Sequence, residues 1–276
     1  TLEYLSKTIL SGVRPDELAI LSQLLYRDHI GVADFIKKYQ KTYGIKISAS
    51  QVNEAIQVLQ GHFVSKEAEY QKFRQIDILE NDQSGMIRRL QSYTERLAHI
   101  QFYTQVEDII KVGIARYKDK YFPGRIVDSP FVLYEKYSRR DVSLLMNCGK
   151  DLSSIMYGMK RIEDDVFIFI TYHKEESQDE KNYVDGKPDY ADAFEDDLIF
   201  KWDSQIGKGL DSSYMKDVLE AERKHLLVKK SDAETSFYYM GQFAVVEARN
   251  ARKEDNRGRM QPITKVTMKM QHPVRE

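Results

Sequence analysis

Hydrophobic positions along the chain fall into two regimes. From residue 1 to about 120 they recur at helical spacing: Leu18, Leu21 and Leu25; then Val32, Phe35, Ile36 and Tyr39; then Val52, Ala55, Ile56 and Leu59. Apolar residues three and four apart share one face of a helix. Ser48 and Gln51 make a capping box ahead of the third helix. After the polar break ILENDQSG, the same period resumes at Leu90, Tyr93, Leu97 and Ile100, then Val106, Ile109 and Ile110. Three helices with short breaks suit a helix-turn-helix, but SASQVNEAIQVLQ carries no Arg or Lys to reach base edges. A small packing bundle acting as a connector is therefore the expectation.

The pattern changes at Tyr121-Phe122-Pro123-Gly124. Short runs rich in aromatic and β-branched residues take over: FVLY at 131–134, VFIFITY at 166–172, LIFKW at 198–202, HLLVKK at 225–230, SFYYMG at 236–241, FAVVEA at 243–248 and ITKVTMKM at 263–270. These read as strands. Two helices interrupt them, SRRDVSLLMN and SSYMKDVLEAER, the first with Ser138 and Asp141 in cap spacing. Many short strands with few helices imply a closed or strongly curved sheet, which hides its edges. The expected fold class is α+β, with a helical connector over 1–121 and a curved β-barrel or sheet domain with flanking helices over 122–276.

Composition adds limits. The 276 residues carry 42 basic and 43 acidic side chains, a net of −1. No run of about 18 apolar residues exists to span a membrane, and the first thirty residues lack the basic-then-apolar layout of a secretion signal. Cytoplasmic residence is expected. Cys148 is the single cysteine, so no intramolecular disulfide or Cys-based zinc site can form. A start at Thr1 fits a segment of a longer polypeptide.

Catalytic signatures are missing from the letters. IGKGLDSS at 206–213 lacks the phosphate-loop spacing, and no Gly-x-Ser-x-Gly, His-Glu-x-x-His or Cys-pair motif occurs. Pro188-Asp189 and Glu222-Arg223-Lys224 match a metal-dependent nuclease by letters alone. His173 and His225 fall at strand ends as solvent-facing or locally bonded groups. The expectation is a non-catalytic chain with neither metal nor cofactor of its own.

One segment stands apart. Residues 190–205, YADAFEDDLIFKWDSQ, interleave aromatics and carboxylates more densely than any other stretch and contain the only tryptophan, Trp202. Strand alternation puts Leu198, Phe200 and Trp202 on one face, with Lys201 and Asp203 on the other. Core packing explains the aromatics. It does not explain Asp192 or Asp196, because burying a carboxylate without a partner costs several kcal/mol.

The runs FVLYEKYSRRDVSLLMN, FIFITYHK, YADAFEDDLIFKWDSQ, and HLLVKK followed by SFYYMG, in this order, resemble the C-terminal domain of unknown function appended to bacterial DEAD/DEAH-type helicases. These include the helicase-type (SauUSI-like) Type IV, modification-dependent restriction enzymes. That region is similar to SET- and RING-associated (SRA) domains, of PUA-like fold, which read 5-methylcytosine. The resemblance implies a base pocket in which aromatics sandwich a flipped methylcytosine and an aspartate bonds its edge. It places Tyr190, Asp192 and Asp196, then Trp202, Asp203 and Ser204, at that pocket, with Trp202 where a tyrosine and Ser204 where a glycine is usual. Either aspartate can face the base. Phe194, Tyr157 and Phe200 are candidates for an apolar wall around the methyl group.

The energetics permit this role. Extruding a base costs a few kcal/mol. Stacking returns about 1–3 kcal/mol per base, and a carboxylate accepting from the cytosine amino group adds about 1.5–3 kcal/mol. Burying the methyl is worth about 0.8 kcal/mol, roughly fourfold in affinity. Phosphate contacts are assigned to Arg139 and Arg140 at a helix start, to Lys201 and Lys208 flanking the pocket, and to a basic run between two strands, Arg249, Arg252, Lys253, Arg257 and Arg259. The acidic stretch 174–189 reads as a connecting loop.

The expected function is a DNA-binding specificity module of a Type IV restriction enzyme, reading 5-methylcytosine, with 5-hydroxymethylcytosine as a further candidate, in duplex DNA. Upstream helicase and phospholipase-D-like nuclease domains would use ATP and Mg; no His-x-Lys-x-x-x-x-Asp motif lies in these residues. The alternatives are a protein-interaction module coupling a helicase to a defence partner, and a cryptic nuclease. Regional charge fits local recognition. Residues 1–125 hold 18 basic and 15 acidic groups, net +3; 151–203 hold 6 and 15, net −9; 249–276 hold 8 and 3, net +5.

Overall fold

The computed structural model describes residues 1–73, 76–82, 84–122, 124, 129–173, 192–255 and 257–274. The chain is α+β and divides into two compact units, 1–131 with 139–154, and 132–138 with 155–276. The expected division at residue 121/122 differs from this one: residues 122–131 and 139–154, the latter with the helix at 139–145, cluster with the first unit.

The first unit contains α1 (Leu2–Ile9), α2 (Asp16–Leu24), β1 (His29–Gly31), α3 (Val32–Tyr43), α4 (Ala49–Leu59), α5 (Glu67–Phe73), β2 (Leu79–Asn81), β3 (Met86–Arg89), α6 (Gln91–Leu97) and α7 (Ile100–Arg116). A π-helical turn, Tyr117–Tyr121, extends α7, and α8 (Arg139–Leu145) completes the unit. The helical periodicity holds where it is strongest. Val52, Ala55, Ile56 and Leu59 are buried on α4, and Ser48 closes its capping box with Gln51 through bonds of 3.2 and 2.9 Å. Periodicity does not reveal the small antiparallel sheet β1-β3-β2. The polar break ILENDQSG belongs to the β2–β3 hairpin, whose turn is held by Asp82 Oδ1 accepting from the N–H of Ser84 (2.9 Å) and of Met86 (3.0 Å). Strands of three and four residues are too short to show an alternation.

The second unit is built on one bent sheet. Its strands are β4 (Lys136–Ser138), β5 (Met159–Ile162), β6 (Asp165–His173), β7 (Ala193–Phe194), β8 (Ile199–Asp203), β9 (Arg223–Ser231), β10 (Ser236–Glu254) and β11 (Met260–Met270), with α9 (Ser213–Glu220) between β8 and β9. Their order is β5-β6-β9-β10-β11-β8-β7, and β4 also pairs with β10. Every pairing is antiparallel except β6 with β9. FVLY is not a strand: Val132 makes an isolated bridge, Tyr134 turns at φ 67°, and the β4 ladder begins at Lys136. SFYYMG and FAVVEA are two parts of a single 19-residue strand that also takes in the first residues of the basic run.

Two irregularities shape β10, between Tyr239 and Gly241 and between Val245 and Glu247. An extra residue in one strand reverses the parity of the side chains beyond it and bends the sheet. Phe237 and Tyr239 thus share a face with Phe167, Phe169 and Tyr137, while Phe243, two pairs of residues further along, enters the opposite core. That core gathers Val166, Ile168 and Ile170 of β6, Phe200 and Trp202 of β8, Leu226 and Val228 of β9, and Val266 and Met268 of β11 around Met215 and Val218 of α9. The curved sheet therefore wraps the helix. Among the described residues no helix is long and apolar enough to cross a membrane.

Gly241 occupies the first irregularity at φ +107°, and a Cβ there would stand 2.9 Å from Leu133 Cδ2. An L side chain rarely adopts this φ. Gly241→Ala is expected to lower unfolding free energy by about 1–3 kcal/mol, read as a drop in the denaturant midpoint.

Candidate functional site

The β7–β8 hairpin shows where the carboxylates of the 190–205 segment go. Asp196 sits exposed in the turn, and its Oδ1 accepts from the N–H groups of Leu198 and Ile199, both at 2.7 Å. It is a turn-former, which accounts for an aspartate that core packing could not explain. Asp192 is half-buried, and its Oδ1 accepts the N–H of Asp203 at 2.9 Å, tying the entry of β7 to the end of β8. Tyr190 lies outside the described residues.

The aromatics divide by burial. Phe200 is 0% exposed and Trp202 5%, so both face the core. Phe194, half-buried, meets Phe200 edge-on with centroids 4.7 Å apart. Trp202 tilts against Tyr214 in the first turn of α9, at 6.3 Å and 31°. Tyr157 is 64% exposed on the turn before β5. Ser204, expected where a glycine is usual, is buried and acts as a clamp: its hydroxyl donates to Lys208 O (2.7 Å) and accepts from Thr264 N–H (2.8 Å). The structure thus brings together Asp192, Trp202, Tyr214, Gln205 and the Tyr157–Gly158 turn. It sets Asp196 apart in its turn and Phe200 in the core.

Tyr214, Gln205 and Gly158 carry no sequence signal. Gln205 Nε2 reaches Tyr157 O at 3.3 Å, and a Cβ on Gly158, which has φ +73°, would stand 2.4 Å from that nitrogen and 3.4 Å from the Tyr214 hydroxyl. Among the described residues Tyr214 Oη is buried here with no hydrogen-bond partner, and so is Asp203 Oδ1 on the other face of β8. The other oxygen of Asp203 lies 3.7 Å from Lys265 Nζ. Burial and the nearby Asp192 carboxylate push the Tyr214 phenol well above its ordinary pKa, so it is a neutral donor at physiological pH.

The basic run is a ribbon, not a loop between strands. Beyond Asp203, β10 and β11 continue as two strands paired with each other, Arg249 opposite Lys265, Asn250 opposite Thr264 and Arg252 opposite Pro262. Low strand propensity of Arg, Lys and Asn hid this extension. Asp255 organises the tip. Its pKa falls to about 2, chiefly through the Arg259 N–H against a burial penalty, with the Arg257 N–H and the Arg259 and Gln261 side chains adding to the pull. Arg259 is thereby paired, at 2.9 Å. Arg252 and Arg257 have no ion pair among the described residues, and Arg249 is 3.9 Å from Glu247. One face of the ribbon and the 209–212 loop frame a groove of about 590 Å³ lined by Leu210, Ser212, Asn250, Arg252 and Pro262.

The other assigned cations are less available. Lys201 pairs with Glu195 (3.3 Å) and donates to Thr267 Oγ1 (3.0 Å). Lys208 lies over the Tyr214 ring at 5.8 Å. Arg140 belongs to the helical unit, where it is held by Asp151 (3.4 Å) and Glu69 (3.5 Å) and packs over Phe63. Two carboxylates already neutralise its charge, so it is a structural hub rather than a phosphate contact. Arg139 is half-buried in the same unit.

A second polar cluster lies on the opposite face of β6 and β9. His225 is buried, stacked on Phe167 at 4.5 Å, with Nε2 2.7 Å from Asp165 and Nδ1 2.9 Å from the Tyr239 hydroxyl. Arg223 clasps Asp165 through two bonds of 2.8 and 2.7 Å. The expectation of a locally bonded histidine holds, and that of a solvent-facing one does not. Among the described residues no group of three or more His, Cys, Asp or Glu is placed to hold a metal ion.

Fold and site together define an α+β protein whose sheet unit carries an aromatic–carboxylate cluster beside a basic β-ribbon. The chain belongs to the family described as domain of unknown function DUF3427, whose model matches residues 131–276, more than half of its length. Residues 1–120 match the model of a second domain of unknown function, DUF8090. No curated protein matches. Among solved structures, the chain is similar to Arabidopsis thaliana SUVH6 in complex with SAM (TM-score 0.34, 11% identity, 83% of this chain and 40% of that one). It is also similar to the sulfur binding domain and SRA domain of ScoMcrA complexed with phosphorothioated DNA (0.29, 11%, 97% and 83%). A third is the Type IV phosphorothioation-dependent restriction endonuclease ScoMcrA (0.28, 11%, 98% and 52%). The chain spans well under two thirds of SUVH6 and about half of intact ScoMcrA.

The His225 cluster predicts an acid sensitivity. Burial lowers the His225 pKa below 6.5 against the opposing pull of Asp165. Burial would raise Asp165, but its bonds from His225 and Arg223 win and bring it to about 2 from 3.8. A depressed folded-state pKa gives stability that is present above the unfolded value and lost below it. The urea midpoint should therefore fall as pH drops below 6.5, and fall again below 3.8. His225→Gln should remove the first slope whatever its absolute stability.

Proposed function

We propose that the sheet unit is a DNA-binding specificity module, SRA-like in fold, that flips and reads 5-methylcytosine in duplex DNA. The reading rests on one observation: ribbon and cluster share the same strands. Trp202 lies opposite Val266 of β11, and the next pair along sets Asp203 opposite Lys265, which in turn faces Arg249. A cation-bearing two-stranded ribbon fits a DNA groove, and its arginines neutralise phosphates. A base drawn out next to it meets the exposed Tyr157 ring, with Asp192 as acceptor for the cytosine amino group and the Trp202 indole as the wall beneath.

The module itself is non-catalytic. By the family resemblance, it serves a cytoplasmic Type IV modification-dependent restriction enzyme, with cleavage, ATP and Mg assigned to helicase and nuclease domains elsewhere in the polypeptide. The net −9 of residues 151–203 works against indiscriminate phosphate attraction and favours contact through the ribbon.

Labelled duplexes differing only at C5 of one cytosine test the proposal. The methylated duplex should bind at least about fourfold more tightly, the worth of one buried carbon. Equal binding would remove base reading, absence of DNA binding would favour the protein-docking alternative, and metal-dependent cutting would favour the nuclease. The double variant Arg252→Ala/Arg257→Ala should weaken both duplexes alike and lower the salt slope of log K by about 0.9 per lost phosphate contact.

A further inference from the structure

Tyr214 has a hydroxyl that does nothing for the fold. The residue sits just behind the Ser212 cap of α9, and its ring packs against Trp202. Among the described residues the oxygen is buried without a hydrogen-bond partner. A phenylalanine would fill the same space without stranding a donor, so packing gives no reason for the oxygen. The group next to it is removable. Gln205 is exposed at its own position and closes over Gly158 with a single long bond, 3.3 Å, to Tyr157 O.

We propose that Tyr214 is a specificity-determining residue that donates to ring N3 of a flipped cytosine while Asp192 accepts from its N4 amino group, with Gln205 moving aside. This inference rests on the base-reading function proposed above and states what that site discriminates. The cytosine edge presents a donor at N4 and acceptors at N3 and O2. Thymine presents an acceptor at O4 and a donor at N3. Against a carboxylate and a neutral phenol, cytosine matches at both positions. Thymine sets O4 against the carboxylate, and its N3–H makes the phenol turn from donor to acceptor. Both 5-methylcytosine and thymine carry the C5 methyl, so an apolar wall accepts either. The Asp192–Tyr214 pair supplies the distinction the methyl cannot.

The test compares the wild-type chain with Tyr214→Phe on three duplexes: one with 5-methylcytosine opposite guanine, one with cytosine, and one with a T·G mismatch at the same position. Wild type should favour 5-methylcytosine over both others. Tyr214→Phe should lose about five- to tenfold in affinity for the methylcytosine duplex, the effect of one hydrogen bond, and part of its preference over T·G, the rest being kept by Asp192. Its binding to the unmodified duplex should fall by no more than the same factor, because unmodified cytosine presents the same edge, and its denaturant midpoint should hold or rise. Gln205→Ala should bind the methylcytosine duplex as tightly as wild type or more so. If wild type prefers methylated DNA and Tyr214→Phe keeps that affinity and its rejection of T·G, the role of Tyr214 is overturned and the base-reading function stands. If wild type shows no methyl preference, the base-reading function fails, and this inference with it. Equal loss on all three duplexes, or a lowered midpoint, would make the hydroxyl structural and overturn the inference.

Discussion

The sheet unit depends on the two irregularities in β10. A straight 19-residue strand would present Phe237, Tyr239 and Phe243 to one side; inserting a residue near Met240 sends Phe243 into the core with Trp202 and Met268 instead. The same strand then pairs with β4 and β9 at one end and with β11 at the other. Each fully buried side chain in that core is worth about 1.5–3 kcal/mol, and a one-residue slip would turn the whole set towards water. The bends are therefore fixed by both cores at once. They also determine which side chains arm the ribbon.

Charge distribution follows from this frame. An acidic segment next to a buried tryptophan looks costly in the letters, yet two of its carboxylates are spent on backbone amides, Asp196 on Leu198 and Ile199 and Asp192 on Asp203, as Asp255 at the ribbon tip is on Arg257 and Arg259. Each stays near water while fixing a turn or a strand end. The cations show the reverse trend. Arg140 and Arg223 are absorbed by carboxylates, whereas Arg252 and Arg257, on the ribbon, have no such pair among the described residues.

Legibility tracked the length of the pattern. Eleven residues of α4 with a capping box were readable, as were VFIFITY and ITKVTMKM, because each repeats its period several times. FVLY was misleading: two aromatics and a valine suit a strand, but a left-handed Tyr134 turns the chain there. The ribbon was hidden because its residues are cationic, and the pairing of β10 with β11, not local propensity, makes them extended. Within the candidate site, Asp192, Trp202 and Tyr157 were found from the segment and the family resemblance. Tyr214 was not, because a tyrosine in an amphipathic helix has no mark of its own until its surroundings are known. The assignment of Phe200 to a pocket wall failed for the converse reason: in alternation, a core aromatic and a pocket aromatic look the same.

Two buried polar groups of the sheet unit, His225 and the Tyr214 hydroxyl, separate stability from function. The His225 ring is stacked, and each of its nitrogens has a partner, one of them a carboxylate that Arg223 also clasps. A fully satisfied network of this kind rigidifies a core and needs no further explanation. The Tyr214 hydroxyl is as hidden but has nothing to bond. Selection for stability alone would remove that oxygen, since an unmade hydrogen bond costs about 1–3 kcal/mol and phenylalanine has the same shape. A protein that retains it gains from the oxygen in some other state, and the state that supplies a partner next to Asp192 and Trp202 is the one in which a ligand edge has displaced Gln205.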